Sequence, residues 1–206
     1  MSILNKIASI KNDPFLLILS AIFERIPFKP ITLSAYHSFI LANVLSKSEC
    51  SHIEIRPALE ADIKLISCFE DKEQVFLKRI RSGEFCIMAQ INNVVVGYEW
   101  FTVTGVHIEE RFNISLDIPE KALYAYDAFT NPDYRRKGVW KCIIQNSLAI
   151  MNRYQKSSIV SYIDYGNIVS ESAHQKLGFV REALYISIKV FCFRHTFKLP
   201  ITLKIK

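Results

Sequence analysis

From residue 122 onward, apolar runs of strand length alternate with amphipathic runs of helix length, and this alternation restricts the fold more than any other feature. A strand over 122–130, a helix over 139–154, a strand over 158–163 and a helix over 169–177 follow one another. An apolar tail from Ala183 adds one or two further strands. Upstream, the pattern predicts a short strand at 53–56, helices at 60–69 and 72–80, and strands at 85–91 and 94–103. The last two form a hairpin around Asn92-Asn93, a pair that tolerates positive φ. Residues 104–119 read as irregular. Strands and helices interleaved in this way predict an α/β or α+β layered domain with a mixed sheet.

The first fifty residues have a different character. Residues 2–25 read as a helix, with Asp13 and Pro14 as an N-cap and first-turn proline inside it. Phe15, Leu16, Leu19, Ile22 and Phe23 give it an apolar face that packs on the main core. A membrane-surface role, suggested by the flanking Lys6, Lys11 and Arg25, is the lesser alternative. Pro27 and Pro30 end the element, and 35–45 is apolar without a decisive period. The expected organisation is a helical extension over 1–50 and one domain over 51–206.

Composition narrows the class further. Half of the 206 residues are apolar and 22% are charged, which is a globular balance. No run approaches the roughly 20 apolar residues of a membrane-spanning helix. The five cysteines (Cys50, Cys68, Cys86, Cys142, Cys192) are odd in number and scattered, without zinc-ligand spacing. They are expected as free thiols in a reducing, cytoplasmic compartment, with no metal. The net charge of +6 suits an anionic ligand. The basic residues form no long tract and no nucleic-acid-reading motif, so nucleic acid is set aside as a partner.

The anion is best placed at Asn131-Pro132-Asp133-Tyr134-Arg135-Arg136-Lys137-Gly138-Val139-Trp140-Lys141, between a predicted strand and a predicted helix. A helix start leaves about four amide N–H groups unpaired and carries roughly half a positive charge. Gly138 can take backbone angles barred to other residues, so that amides converge on an anion. The result is an amide nest suited to a phosphate or diphosphate. Neither GxxxxGK[ST] nor GxGxxG is present.

A second segment, 167–179, runs Asn-Ile-Val-Ser-Glu-Ser-Ala-His-Gln-Lys-Leu-Gly-Phe. With it, the chain resembles the GNAT superfamily of acyl-CoA N-acyltransferases. Arg135-x-x-Gly138-x-Trp140 is similar to the family's (Arg/Gln)-x-x-Gly-x-(Gly/Ala), and 167–179 to its closing Asn…Tyr…Gly-Phe stretch. Ile55-Arg56-Pro57 with Asp62 resembles the opening strand and helix, and Val96-Gly97-Tyr98 a third-strand phrase. Residues 52–190 are covered. Two positions depart from the pattern: Trp140 stands where a small residue is customary, and His174 where tyrosine is common.

The resemblance implies a mixed, mostly antiparallel sheet splayed between its fourth and fifth strands, with a bulge in the fourth. It implies acetyl-CoA or another acyl-CoA as co-substrate. The diphosphate would lie on Arg135, Arg136, Lys137, Gly138, Val139, Trp140 and Lys141, and the pantetheine arm along the backbone of Phe129 and Thr130. Asn167 and Ser170 would line the same cleft. The expected reaction is direct attack by a primary amine of a small molecule on the thioester in a ternary complex. A non-catalytic acyl-CoA-binding module is the alternative, and a homodimer is compatible with the sequence.

Such chemistry needs a neutral amine, a polarised carbonyl and a proton for the leaving thiolate. His174 is the candidate general acid, at the family's tyrosine position. Glu99 and Asp127 are the carboxylate candidates for base or amine anchor, with a water chain as the other route. Strand alternation puts Tyr124, Tyr126 and Ala128 on one face and Asp127 and Phe129 on the other, and the resemblance implies that the face of Tyr124 and Tyr126 looks toward the acceptor.

Overall fold

The computed structural model describes residues 31–42, 50, 52–103, 105–109, 114–190 and 193–201. The helix expected over 2–25 and Cys192 lie outside the described residues. Contacts divide the chain into two compact units, one of Leu41–Ile108 with Ser115–Ser161, the other drawn from Met1–Ile40, Glu109–Ile114 and Tyr162–Lys206.

The first unit is a sheet with helices on both faces. Its strands are β2 (Glu54–Pro57), β3 (Phe85–Ile91), β4 (Val94–Thr102), β7 (Ala122–Thr130) and the first half of β8 (Ser158–Asp164), and they lie in that order. Neighbours are antiparallel up to β7, and β8 runs parallel to β7. The β3–β4 hairpin turns through Asn92 and Asn93 at φ 50° and 62°, as their types predict. Helix α1 (Ile63–Ser67) follows a 3-10 turn, Glu60–Asp62, which Arg56 clamps to β2 through a two-point ion pair with Asp62 of 2.7 and 2.8 Å.

Alternation along β4 assigns the two faces. Tyr98 and Trp100 meet Phe76 of α2 (Glu73–Arg81), with ring centroids 5.5 and 5.2 Å apart. Gly97 and Glu99 face α3 (Val139–Asn146), through Val139 and Trp140 respectively. The helix expected over 139–154 breaks at the buried Ser147, whose hydroxyl donates to the Ile144 carbonyl at 2.7 Å, and resumes as α4 (Leu148–Arg153). The stretch expected to be irregular contains two short paired strands, β5 (Val106–Glu109) and β6 (Ile114–Asp117).

The second unit holds β1 (Ile31–Leu41), β9 (Val180–Val190) and β10 (Phe193–Pro200), with α5 (Ile168–Lys176). Both β1 and β10 pair antiparallel with β9, and β1 also neighbours the end of β8. The described part of the N-terminal extension is therefore a strand and not a helix, which corrects the expectation over 31–41. Every residue from 36 to 39 is buried, so no alternation betrays the strand in the sequence.

Candidate functional site

The turn between β7 and α3 is built to leave amides uncovered. Asn131 opens it by accepting from the Asp133 N–H at 3.1 Å, and Pro132 starts a single 3-10 turn. Arg136 then takes φ 63° and Gly138 φ 80°. Gly138 is the N-cap of α3 and offers no side chain to the helix start. The first bond recorded into α3 runs from the Cys142 N–H to the Gly138 carbonyl, 3.0 Å. The N–H groups of Arg136, Lys137, Gly138, Val139 and Lys141 have no acceptor among the described residues.

The charge and the space agree with this geometry. Arg135, Arg136, Lys137 and Lys141 are exposed around the turn. Arg135 donates to the Thr130 carbonyl at 3.2 Å, and the Lys137 ammonium sits 4.9 Å over the Tyr134 ring. A Cβ built on Gly138 would meet nothing within 4 Å. Open amides, local cations and empty space above the turn together suit a diphosphate.

Gly97 brings the helix down to the sheet. A Cβ there would stand 2.9 Å from the Phe129 carbonyl oxygen and 3.0 Å from Cγ1 of Val139. In the sequence this role shows only as a glycine inside a strand.

β7 is irregular where the cofactor arm is expected. Tyr98 pairs with Phe129 and Trp100 with Tyr126, so Asp127 and Ala128 together oppose Glu99. Asp127 takes φ 48° at this bulge. Between β7 and β8, only Ala122, Leu123 and Tyr124 pair, with Ser158, Ile159 and Val160. Among the described residues the later part of β7 is paired on the β4 side alone, as a splayed sheet requires.

The bulge corrects the expected facing of β7. Tyr126, Asp127 and Phe129 all reach the α2 side of the sheet. Phe129 stacks on Tyr98 and on Phe69, at 5.6 and 4.7 Å. Asp127 is ion-paired to Lys72 at 3.0 Å and to Arg79. The Arg79 guanidinium also lies over the rings of Tyr126, Trp100 and Phe76. Burial alone would raise the Asp127 carboxyl, yet the two cations hold it below its ordinary value. A carboxylate bound in this way is a poor base.

Glu99 is on the opposite face, 2% exposed, and accepts a 3.0 Å hydrogen bond from the Trp140 indole. Burial pushes its carboxyl up to about 8, a shift the indole donor opposes. Tyr124 and Tyr126 stack in parallel at 5.1 Å with His107 tilted over both, at 4.8 and 4.5 Å. The Tyr126 hydroxyl donates to Glu84. At 1% and 9% exposure, the two tyrosines are chiefly core.

In the second unit, Asn167 caps α5 by accepting from the Ser170 N–H at 3.2 Å, leaving Ile168 and Val169 exposed beside it. His174 is buried between Phe39 and Phe179, with Nδ1 2.8 Å from the Ser170 carbonyl. That contact makes Nδ1 the protonated nitrogen. Burial lowers the imidazole to about 4, so it is neutral near pH 7. Its single N–H is already engaged, which removes the proton expected of a general acid. Nearby, Glu171 accepts from Nδ1 of His37 at 2.7 Å and from Arg181, fixing α5 to β1 and β9.

The cysteine expectation is also corrected. Cys50 and Cys142 form a disulfide across 92 residues, which ties α3 to the segment before β2. Cys68 is free and exposed, and Cys86 is free and buried. The thiol argument for a reducing compartment therefore lapses. None of the described helices is long and apolar enough to cross a membrane. Among the described residues, no group of His, Cys, Asp and Glu side chains could hold a metal ion.

A family model for acetyltransferases (GNAT) matches residues 51–179, and so takes in the open turn, the bulged strand and the whole of α5. The chain belongs to the acetyltransferase (GNAT) family. No curated protein matches it. Among solved structures, a functionally unknown conserved protein from Staphylococcus epidermidis is similar at a TM-score of 0.57 and 12% identity, covering 85% of this chain and 67% of that one. The aminoglycoside 6'-N-acetyltransferase AAC(6')-Ih from Acinetobacter baumannii is similar at 0.51 and 18% identity, over 63% of this chain and 91% of its own. The aminoglycoside N-acetyltransferase AAC(6')-Iy, solved in complex with CoA, is similar at 0.50 and 16% identity, over 62% and 92%. These likenesses show the GNAT fold: a mixed sheet flanked by helices.

Proposed function

We propose that the protein transfers an acyl group, acetyl by default, from acyl-CoA to a primary amine of a small molecule. The observation that carries this reading is the turn from Arg135 to Lys141, with its uncovered amides, its cations and the left-handed Gly138. Acyl-CoA would supply the activated acyl group as a thioester. The amides of Arg136, Lys137, Gly138, Val139 and Lys141 would bind its diphosphate, and the backbone of Phe129 and Thr130 would pair with the pantetheine arm.

An acceptor amine with pKa about 10.4 is almost wholly protonated at neutral pH. The two carboxylates considered as bases are engaged elsewhere, Asp127 by Lys72 and Arg79, Glu99 by Trp140. Proton removal is therefore assigned to water. His174 is assigned to holding α5, and the thiolate, with pKa about 8.5, leaves without it. The rate gain then rests on alignment of the two substrates and on a backbone donor for the thioester oxygen. Asn167 and Ser170 remain cofactor-lining candidates, and Tyr124 and Tyr126 act as the floor of the acceptor side.

The test is calorimetric titration with acetyl-CoA, followed by an acceptor panel of amino sugars, including aminoglycosides, polyamines, amino acids and peptides. Binding of acetyl-CoA that Gly138→Val abolishes, with turnover on one amine class, is the expected result. Binding without turnover on any amine would favour the non-catalytic alternative. No binding at all would overturn the reading.

A further inference from the structure

In the family a small residue is customary at position 140, and Trp140 stands there in this chain. The structure gives it a specific lodging. Trp140 is the second residue of α3, next to Val139, which rests on Gly97. Its indole N–H reaches Glu99, two residues along β4 from Gly97 on the same face. β4 and β7 are antiparallel, so Glu99 lies farther than Gly97 from the end of β7 where the turn begins. The indole is thus drawn along the sheet, away from the space above Gly138.

Glu99 is 2% exposed, and Trp140 is its one hydrogen-bond partner among the described residues. A carboxyl in the centre of a sheet is costly to bury, and an apolar residue would fill the place at less cost. Resting on the acyl-CoA reading, we propose that Glu99 is a positioning residue for the cofactor: by holding the Trp140 indole against β4, it keeps the first-turn amides of α3 open to the diphosphate. The pair does with a large side chain and a buried acceptor what the family does with a small residue.

The experiment is titration of CoA into the wild type and four variants, with thermal unfolding measured on each. Glu99→Gln keeps an acceptor for the indole and is expected to bind CoA within about twofold of the wild type. Glu99→Leu removes this acceptor from the indole and is expected to weaken CoA by about tenfold. Trp140→Phe, which keeps a ring and removes the donor, is expected to weaken it similarly and stands in if Glu99→Leu does not fold. Glu99→Leu in a Trp140→Ala background is expected to bind more tightly than Glu99→Leu alone, because no indole remains to block the turn. A purely structural role would shift the unfolding temperature and leave CoA affinity alone. CoA binding by the wild type with Glu99→Leu or Trp140→Phe unchanged would overturn the inference and spare the cofactor reading, as would a double variant no tighter than Glu99→Leu. A wild type that does not bind CoA would overturn both.

Discussion

The starts of α3 and α5 solve the same problem in opposite ways. Each helix begins with unpaired amides. At α5 the chain supplies acceptors itself: Asn167 accepts from Ser170 and the Gly166 carbonyl from Ile168, while Glu171 adds negative charge in the first turn. At α3 it does neither. The cap is a left-handed glycine, the first turn has no acid, and cations crowd the approach. A helix start left open is disfavoured unless water or a ligand completes it. The contrast supports the proposal of an anion at the start of α3 and not at the start of α5. Their anchors differ as well, a disulfide for α3 and the His37–Glu171–Arg181 network for α5.

Removing those anchors should give the largest effects. Replacing both Cys50 and Cys142 by serine opens a loop of 92 residues and is expected to cost about 4 kcal/mol, read from denaturant unfolding. Affinity for CoA should drop as α3 loosens. An unchanged midpoint would show that α3 is held by packing alone.

Acid should act on α5 next. His174 takes up a proton only near pH 4 in the folded chain, against 6.5 when unfolded. The unfolded state thus binds more protons between those values, and stability should fall as the pH drops from 6.5 to 4, by about 3 kcal/mol. His174→Phe should flatten this part of the pH–stability curve. A curve unchanged by the substitution would place the titration elsewhere.

The caps themselves should separate stability from binding. Asn167→Ala is expected to cost about 1 kcal/mol of stability. Gly138→Ala is expected to cost 1–2 kcal/mol through its left-handed backbone and to weaken CoA by about tenfold beyond what Asn167→Ala does. Equal effects on CoA from the two would erase the contrast between the helix starts. Smallest, Arg135→Ala or Lys137→Ala should each weaken CoA about threefold, a loss that 0.5 M salt should largely abolish because these cations are exposed.

Much of the proposed cofactor site is legible in the sequence because its signals are local. Gly138 after three cations, before an apolar helical period, already describes an amide nest. The Asn92-Asn93 turn and the strands on either side follow from residue type in the same way. What stayed illegible depends on partners distant in the chain. Asp127 offers a carboxylate on the sequence, and only the bulge at positive φ, with Lys72 and Arg79 brought from α2, shows that it is engaged. His174 sits at an acid's position, yet Phe39 from β1 and Phe179 bury it and the Ser170 carbonyl accepts from its Nδ1–H.

By itself the sequence determined the alternation of strand and helix, the open start of α3 and hence the anion expected there. These rest on backbone preferences and side-chain spacing within about ten residues. The tertiary structure alone decided that 31–41 is a strand beside β9, that Cys50 meets Cys142, and that Trp140 donates to Glu99. Each of those joins residues dozens of positions apart, and such pairings are selected by the packing of the whole sheet, which no local pattern encodes.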